Sequence, residues 1–554
     1  MNEKYFLDPN TMDISAITDG INMLHKEFSK YFDVENPRMK NDIKEKYKEI
    51  LAREVLEQEG MEPEEFYKHL SYYSQGILKW SHPGALINVN PPATLPSVAA
   101  AGYVSLYNGN GAQDMSCGYL LTTELIVIKM LCQLVGLNPE VAGGIFTFGG
   151  KSTNLHALKH GIQRACPDAI DNGIHEDIVS FSSKQGHPCH SEVCGWLGTG
   201  KNSCIRIKTK EMGEIDLEEL EASMRKVLDE GKKIALITAN GGTTIQMTID
   251  PIKKIAELRD KLVEEYKLSY KPRIHVDSVI GWCYLFFKDY DFEKNPLGIN
   301  EVALGRIKRQ LTRISEIVYA DSFGVDFHKM GFCSYQSSVY MCMDKSEIYA
   351  QEKLKPIPYD ELEYGNYSPF QYTLELSRAL NGPIEAYTNL KILGISGYQE
   401  LIGQLYNSAE VLKETINSVP RFEVINDKDS DGFVTLFVVK ENIDSPSFFE
   451  LGKRSLEETK TFGMYIYKFY LYLLEQQKLG KCNFALDYSS GYHVLANGVK
   501  IGVLKVYPMT PYFTPEKAKE MVKTIRMLME EFDKVKEVFE IKEVPHKPRP
   551  FVFR

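Results

Sequence analysis

VLDEGKKIALITAN, residues 227–240, leads into TIDPIKKIAELRDKLVEEYK, residues 248–267, and then into PRIHVDSVIG, residues 272–281. The first stretch is an apolar run ending in a polar turn. The second has a proline near its start and apolar positions three and four apart, which is helix periodicity. The third is again a short apolar run. Strand, helix, strand at this spacing predicts an α/β fold with a mostly parallel sheet covered by helices. Such sheets hold ligands at the carboxyl ends of their strands, so polar residues just after the apolar runs are candidate site residues.

The alternation extends over residues 96–415, which we read as a large ligand-binding domain. Before it, residues 1–95 include NDIKEKYKEILAREVLEQEG, whose apolar stripe on a charged background needs a partner surface; this part reads as a helical dimerisation segment. HPGALINVNPPATLPS, from residue 82, reads as an ordered connection. After residue 415 the character changes. FVTLFVVK and GVLKVYPMTPY look like strands, and the stretches 447–477 and 514–540 look helical, so residues 416–554 are expected to form a smaller α+β domain. The tail PHKPRPFVFR reads as an extended closing segment.

Composition narrows the function. Of the 554 residues 43% are hydrophobic and 25% charged, the balance of a globular protein. The net charge of −10 argues against a general nucleic-acid binder, which needs a concentrated basic surface, but leaves room for a local basic pocket. The N-terminal MNEKYFLDPNTMDI has no basic-then-apolar leader pattern and no long run of uninterrupted apolar residues follows, so a cytoplasmic protein without a membrane span is expected. The ten cysteines lack paired zinc-ligand spacing and read as reduced thiols.

Four segments carry candidate chemistry. In YADSFGVDFHKMGF, residues 319–332, Lys329 follows His328; alone this is ordinary polar sequence. In HVDSVIG, residues 275–281, Asp277 ends an apolar run, where a buried carboxylate needs a cationic partner. In IFTFGGKSTNLHALKHG, residues 145–161, Gly149 and Gly150 permit a tight turn, and Ser152, Thr153 and Asn154 then open a helix whose free amides suit a phosphate. It is not the phosphate loop of nucleotide enzymes, because the first glycine of that motif is missing. HPCHSEVCGWLG, residues 187–198, invites a zinc reading, but Cys189 and His190 are adjacent and form no ligand pair; no metal is expected, and one histidine is better used against a ring face.

Together and in this order the four segments resemble the group II pyridoxal-phosphate decarboxylases, over roughly residues 75–535. The resemblance looks closest to the long bacterial tyrosine-decarboxylase branch, through the wide interval between the aspartate and lysine motifs, VYPMTPYFTPEKA (506–518) and YTLELSRA (372–379). It implies a fold-type I enzyme with pyridoxal 5'-phosphate. Lys329 would bind the cofactor covalently, His328 would lie beside its phosphate, and Asp277 would hold its ring nitrogen protonated. His190 would stack on the ring and help orient the substrate carboxylate, Ser152 and Thr153 would bind phosphate, and Thr244 would approach the cofactor's oxygen-bearing face. His187 matches no family role.

The resemblance also implies a homodimer with the active site at the interface. PIPYDELEYGNYSPF, residues 356–370, is either a mobile lid whose Tyr359, Tyr364 or Tyr367 supplies a proton or a plain surface loop. His82 and Asn88 either touch substrate or cap turns. Four positions depart from the family pattern: Phe327 stands in place of proline, Ser278 and Val279 in place of two alanines, and Lys151 in place of a small residue. The implied reaction is decarboxylation of an L-amino acid, aromatic and tyrosine-like slightly ahead. The alternatives are an acidic amino acid (aspartate, glutamate or cysteine sulfinate) and carbon–carbon lyase chemistry of the sphingosine-phosphate lyase kind.

Overall fold

The computed structural model describes residues 5–210, 213–428, 430–490 and 495–540, and the backbone of 551–553. Its centre is a seven-stranded sheet: β1 (Gly143–Thr147), β2 (Ile178–Ser183), β3 (Cys204–Ile207), β4 (Lys233–Asn240), β5 (Arg273–Asp277), β6 (Ser322–Asp326) and β7 (Ser338–Cys342), in the order β1-β7-β6-β5-β4-β2-β3. Only β7 runs against its neighbours β1 and β6; the other pairings are parallel. Every residue of β5, β6 and β7 is buried, as a sheet covered on both faces requires. The α/β expectation therefore holds, and the predicted strand–helix–strand appears as β4, the helix Ile252–Glu265 and β5.

Helix α1 (Gly150–Ala165) lies across β4 to β7. It comes so close that a Cβ on Gly161 would stand 2.3 Å from the carbonyl oxygen of Ala235, which is why that position has no side chain. Helix α2 (Cys189–Trp196) packs beside α1.

The second sheet is built from β8 (Phe422–Val424), β9 (Thr435–Val439), β10 (Ala485–Ser489) and β11 (Val503–Val506), with the helix Leu456–Lys478 packed on it. Its remaining strand is Ala85–Leu86, paired parallel to β10. The N-terminal segment thus shares a sheet with the C-terminal part, and one continuous apolar core runs from Val127 and Phe181 to Phe437 and Phe532. A domain boundary read from composition cannot register such a strand, because its partner lies 400 residues away. In the tail, residues 545–550 lie outside the described residues, and Phe551–Phe553 pairs antiparallel with Val499–Ile501. One stretch, Asp114–Val135, is long and apolar enough by composition to cross a membrane; its Val127, Ile128, Leu131, Cys132 and Val135 are buried in the main core.

Candidate active site

Three neighbouring strands end on one cavity of about 150 Å³. Asn240 closes β4, Asp277 closes β5 and Asp326 closes β6, and Lys329 follows one turn later. This is the edge where a parallel sheet exposes its carboxyl ends. A larger groove of about 670 Å³ lies at the opposite strand ends, around Asp177, Ile205 and Lys226, away from this set.

Asp277 is 7% exposed. Its Oδ2 lies 2.8 Å from His190 Nε2 and accepts from Asn154 Nδ2 at 3.2 Å, whereas Oδ1 is buried with no hydrogen-bond partner among the described residues. Burial works to raise its pKa, but the bond to His190 and the charges of His190 and Lys329 outweigh it and hold the carboxyl well below the usual range. The result is a buried carboxylate with one oxygen still to satisfy, a site for a cationic N–H group. His190 is held in turn by close packing: a Cβ on Gly186 would stand 2.9 Å from its ring.

Lys329 Nζ lies 2.8 Å from Asp326 Oδ2. Burial opposes its charge, yet Asp326 overrides this and holds the ammonium pKa above its ordinary value. Asp326 is itself fixed by Ser338 Oγ, which donates to Oδ1 at 2.5 Å, and His328 Nε2 lies 3.4 Å from Oδ2. The His328 Nδ1 lies 3.0 Å from the carbonyl of Ser337, and burial lowers the ring's pKa. Asn240, which lines the cavity, is fixed by Asp250, whose oxygens accept from Asn240 N (2.7 Å), Asn240 Nδ2 (2.8 Å) and Ile215 N (2.8 Å); burial pushes this carboxyl up to about 6.

Of the residues singled out from sequence, Lys329, His328, Asp277 and Thr244 line the cavity, with His190 directly behind Asp277. Ser152 and Thr153 do not. The helix starts at Gly150 after Gly149 with φ +123°, so Gly150 and Lys151 face the cavity. Just after them, Ser152 is buried and Thr153 Oγ1 turns back to donate to Gly150 O at 2.8 Å.

The three loop tyrosines are also elsewhere in this chain. Lys345 Nζ sits 4.4 Å over the Tyr359 ring, Tyr364 is exposed beside Tyr119, and Tyr367 is buried among Leu121, Leu380 and Ile384. His82 sits in a turn, with Nε2 3.1 Å from the carbonyl of Val34 and Nδ1 accepting from Gly84 N, while Asn88 Oδ1 accepts from Lys505 Nζ at 2.7 Å. Neither lines the cavity.

Asn240 and Asp326, the lining role of Lys151 and the bond from Asn154 to Asp277 have no counterpart among the sequence expectations. A signal for Asp326 existed: SFGVD ends an apolar strand in aspartate just as RIHVD does. Tyr335, also passed over, has its ring 4.3 Å from that of His328. The ligand atoms of Cys189, His190 and Asp277 fall within 4.8 Å of one another. Burial drives the Cys189 thiol pKa far up.

Comparison with known proteins agrees with this geometry. The pyridoxal-dependent decarboxylase conserved domain matches residues 70–438. Similar curated proteins include the acidic amino acid decarboxylase GADL1 of Xenopus tropicalis, 25% identical over 318 residues that make up 56% of each chain. The L-2,4-diaminobutyrate decarboxylase of Rhizobium meliloti (strain 1021) is 27% identical over 267 residues, 48% of this chain and 47% of that one. The chain thus spans about half the length of the curated relatives it matches. Among solved structures, mouse CSAD superposes with a TM-score of 0.75 at 18% identity, covering 93% of this chain and 99% of that one. The Oryza sativa TDC with PLP and tryptamine gives 0.74 at 15%, covering 95% and 99%; both likenesses speak for the fold.

The residues present fit pyridoxal 5'-phosphate. Lys329 offers the amine for its aldehyde, the unsatisfied oxygen of Asp277 suits a protonated ring nitrogen, and the start of α1 offers amides and Lys151 to a phosphate. The chain belongs to the pyridoxal-dependent decarboxylase family.

Proposed function

We propose that this protein removes the α-carboxyl group of an L-amino acid as carbon dioxide and releases the amine. The observation that carries the reading is a lysine and an ionised, half-satisfied aspartate facing one cavity at the ends of adjacent strands. Bound there, the cofactor supplies an electron sink for the bond that breaks. The protein's own part is to keep charge and protons in place. Asp277 would keep the ring nitrogen protonated, His190 would hold Asp277, and Lys329 would be the residue that holds the aldehyde end of the cofactor.

Thr243, Thr244, Asn240 and His187 make much of the lining polar, with Val279 and Ile280 as its apolar side chains. The acidic amino acid decarboxylases among the relatives move an acidic amino acid ahead of the tyrosine-like one. A homodimer belongs to the same reading. Leu95, Tyr103, Tyr119, Leu374 and Leu376 are large apolar side chains that are all more than half exposed, and burying such surface between two copies is favourable. A sedimentation experiment finding an active monomer would refute it.

The test of the activity is carbon dioxide release from cofactor-loaded protein offered aspartate, glutamate, cysteine sulfinate, 2,4-diaminobutyrate, tyrosine, DOPA and tryptophan. The amine is identified by mass spectrometry, and Lys329→Ala serves as control. Release with the matching amine from one substrate, absent in the control, is expected. Bound cofactor with no release, or an aldehyde product, would overturn it.

A further inference from the structure

This inference rests on the cofactor reading above. Two lysines line the cavity, Lys329 and Lys151, together with two carboxylates, Asp277 and Asp326. A phosphate at the start of α1 would arrive beside Asp326, because a Cβ on Gly150 would stand only 2.8 Å from Asp326 Oδ2. Two neighbouring anions repel strongly in a partly dry site. Lys329 does not resolve this, since it already pairs with Asp326 and its nitrogen is the one that joins the aldehyde. His187 and His328 are kept from ionising by burial first of all. Of the basic side chains facing the cavity, Lys151 is left.

Lys151 is held only lightly at present. Its Nζ is 2.5 Å from Glu192 Oε2 and 5.7 Å from the centre of the Trp196 ring, and the two charged side chains are 44% and 41% exposed. Exposed pairs of this kind contribute little and are weakened by salt. The lysine stem is long and flexible, and its ammonium donates in three directions. Glu192 lies on α2 beside His190, so the helix that supports Asp277 also parks the lysine at the cavity mouth.

We infer that Lys151 is a swinging phosphate ligand, leaving Glu192 to neutralise the cofactor's phosphate against Asp326. An ordinary helix-start site would rely on backbone amides alone; this chain adds a full charge because it carries a carboxylate where the phosphate docks.

The experiment is an equilibrium titration of apoprotein with pyridoxal 5'-phosphate and, in parallel, with phosphate-free pyridoxal, followed by absorbance. Wild type, Lys151→Met, Lys151→Arg and Glu192→Gln are compared at low and high salt. Loss of one charge-assisted contact predicts an affinity for pyridoxal 5'-phosphate about ten- to a hundredfold weaker in Lys151→Met. Pyridoxal binding should be unchanged, Lys151→Arg should bind nearly as the wild type, and Glu192→Gln should bind as tightly or tighter.

Equal affinity of wild type and Lys151→Met for pyridoxal 5'-phosphate overturns the inference, as does equal weakening for both ligands. If Lys151→Met does not fold, a wild-type affinity that ignores salt overturns it, and so does Glu192→Gln binding more weakly than wild type. Failure of the wild type itself to bind pyridoxal 5'-phosphate at Lys329 would instead sink the cofactor reading.

Discussion

Replacing Arg378 by methionine should destabilise the protein by about 3–5 kcal/mol, the cost of leaving a buried charge without its partner. Arg378 Nη1 and Nη2 reach Glu124 Oε2 and Oε1 at 2.8 and 2.6 Å, and the two side chains are 7% and 1% exposed. Glu124 Oε1 also accepts from Phe146 N at 2.8 Å. Phe146 lies in β1, four residues before the start of α1, so the pair props up the strand that leads into the cavity. Methionine roughly keeps the volume and removes both hydrogen bonds to Glu124 together with the 3.4 Å ones to the carbonyls of Gly111 and Phe146.

The assay is urea unfolding of wild type, Arg378→Met, Glu124→Gln and the double variant. The double variant should recover part of the loss, since removing the stranded charge removes most of the penalty. A loss below about 1 kcal/mol in Arg378→Met, or a double variant no more stable than the single one, would refute the argument that the pair acts as a buried charge couple.

Asp326→Asn removes the carboxylate that overrides burial at Lys329. The amine should then lose its proton at lower pH, moving the pH profile of cofactor adduct formation downward; an unmoved profile counts against the pairing. His275 is fully buried, and burial first, then the charges of Arg273 and His190, take its pKa down to about 3 against the opposing charge of Asp277. The unfolded ring gains its proton near the ordinary value of about 6.5, so unfolded chains bind more protons and stability should fall as pH drops from there toward 3. His275→Asn should flatten that slope in thermal melts, and identical slopes would exclude the histidine as a cause. Gly161→Ala should cost about 1–3 kcal/mol in urea unfolding by pushing α1 off β4, given the 2.3 Å approach to the Ala235 carbonyl; a neutral result would mean the helix can shift freely.

The sheet and its chemistry were legible because they are written locally. PRIHVDSVIG shows a strand and the residue that ends it, and FHK places the lysine one turn beyond SFGVD, so Asp277, His328 and Lys329 could be named without knowing what surrounds them. Periodicity of 2 or 3.6 and the chemistry of a buried carboxylate suffice for that. The phosphate end was legible only to within a residue or two. A helix turns by 100° per residue, so whether positions 150 and 151 or 152 and 153 face the cavity depends on where the first turn begins.

What the sequence could not contain is the meeting of distant residues. Asn154 reaches Asp277 across 123 positions, Arg378 reaches Glu124 across 254, and Ala85 pairs with Ala485 across 400. The tyrosines of residues 356–370 are near Lys329 in the chain, yet Asp114 accepts from the amides of Gly365 and Tyr367, and Lys345 covers Tyr359. Those contacts hold the segment away from the lysine. Local pattern determined which groups this protein brings to its chemistry; the folding of remote segments onto the sheet decided which of them meet, because burial and hydrogen bonding act through space without regard to separation along the chain.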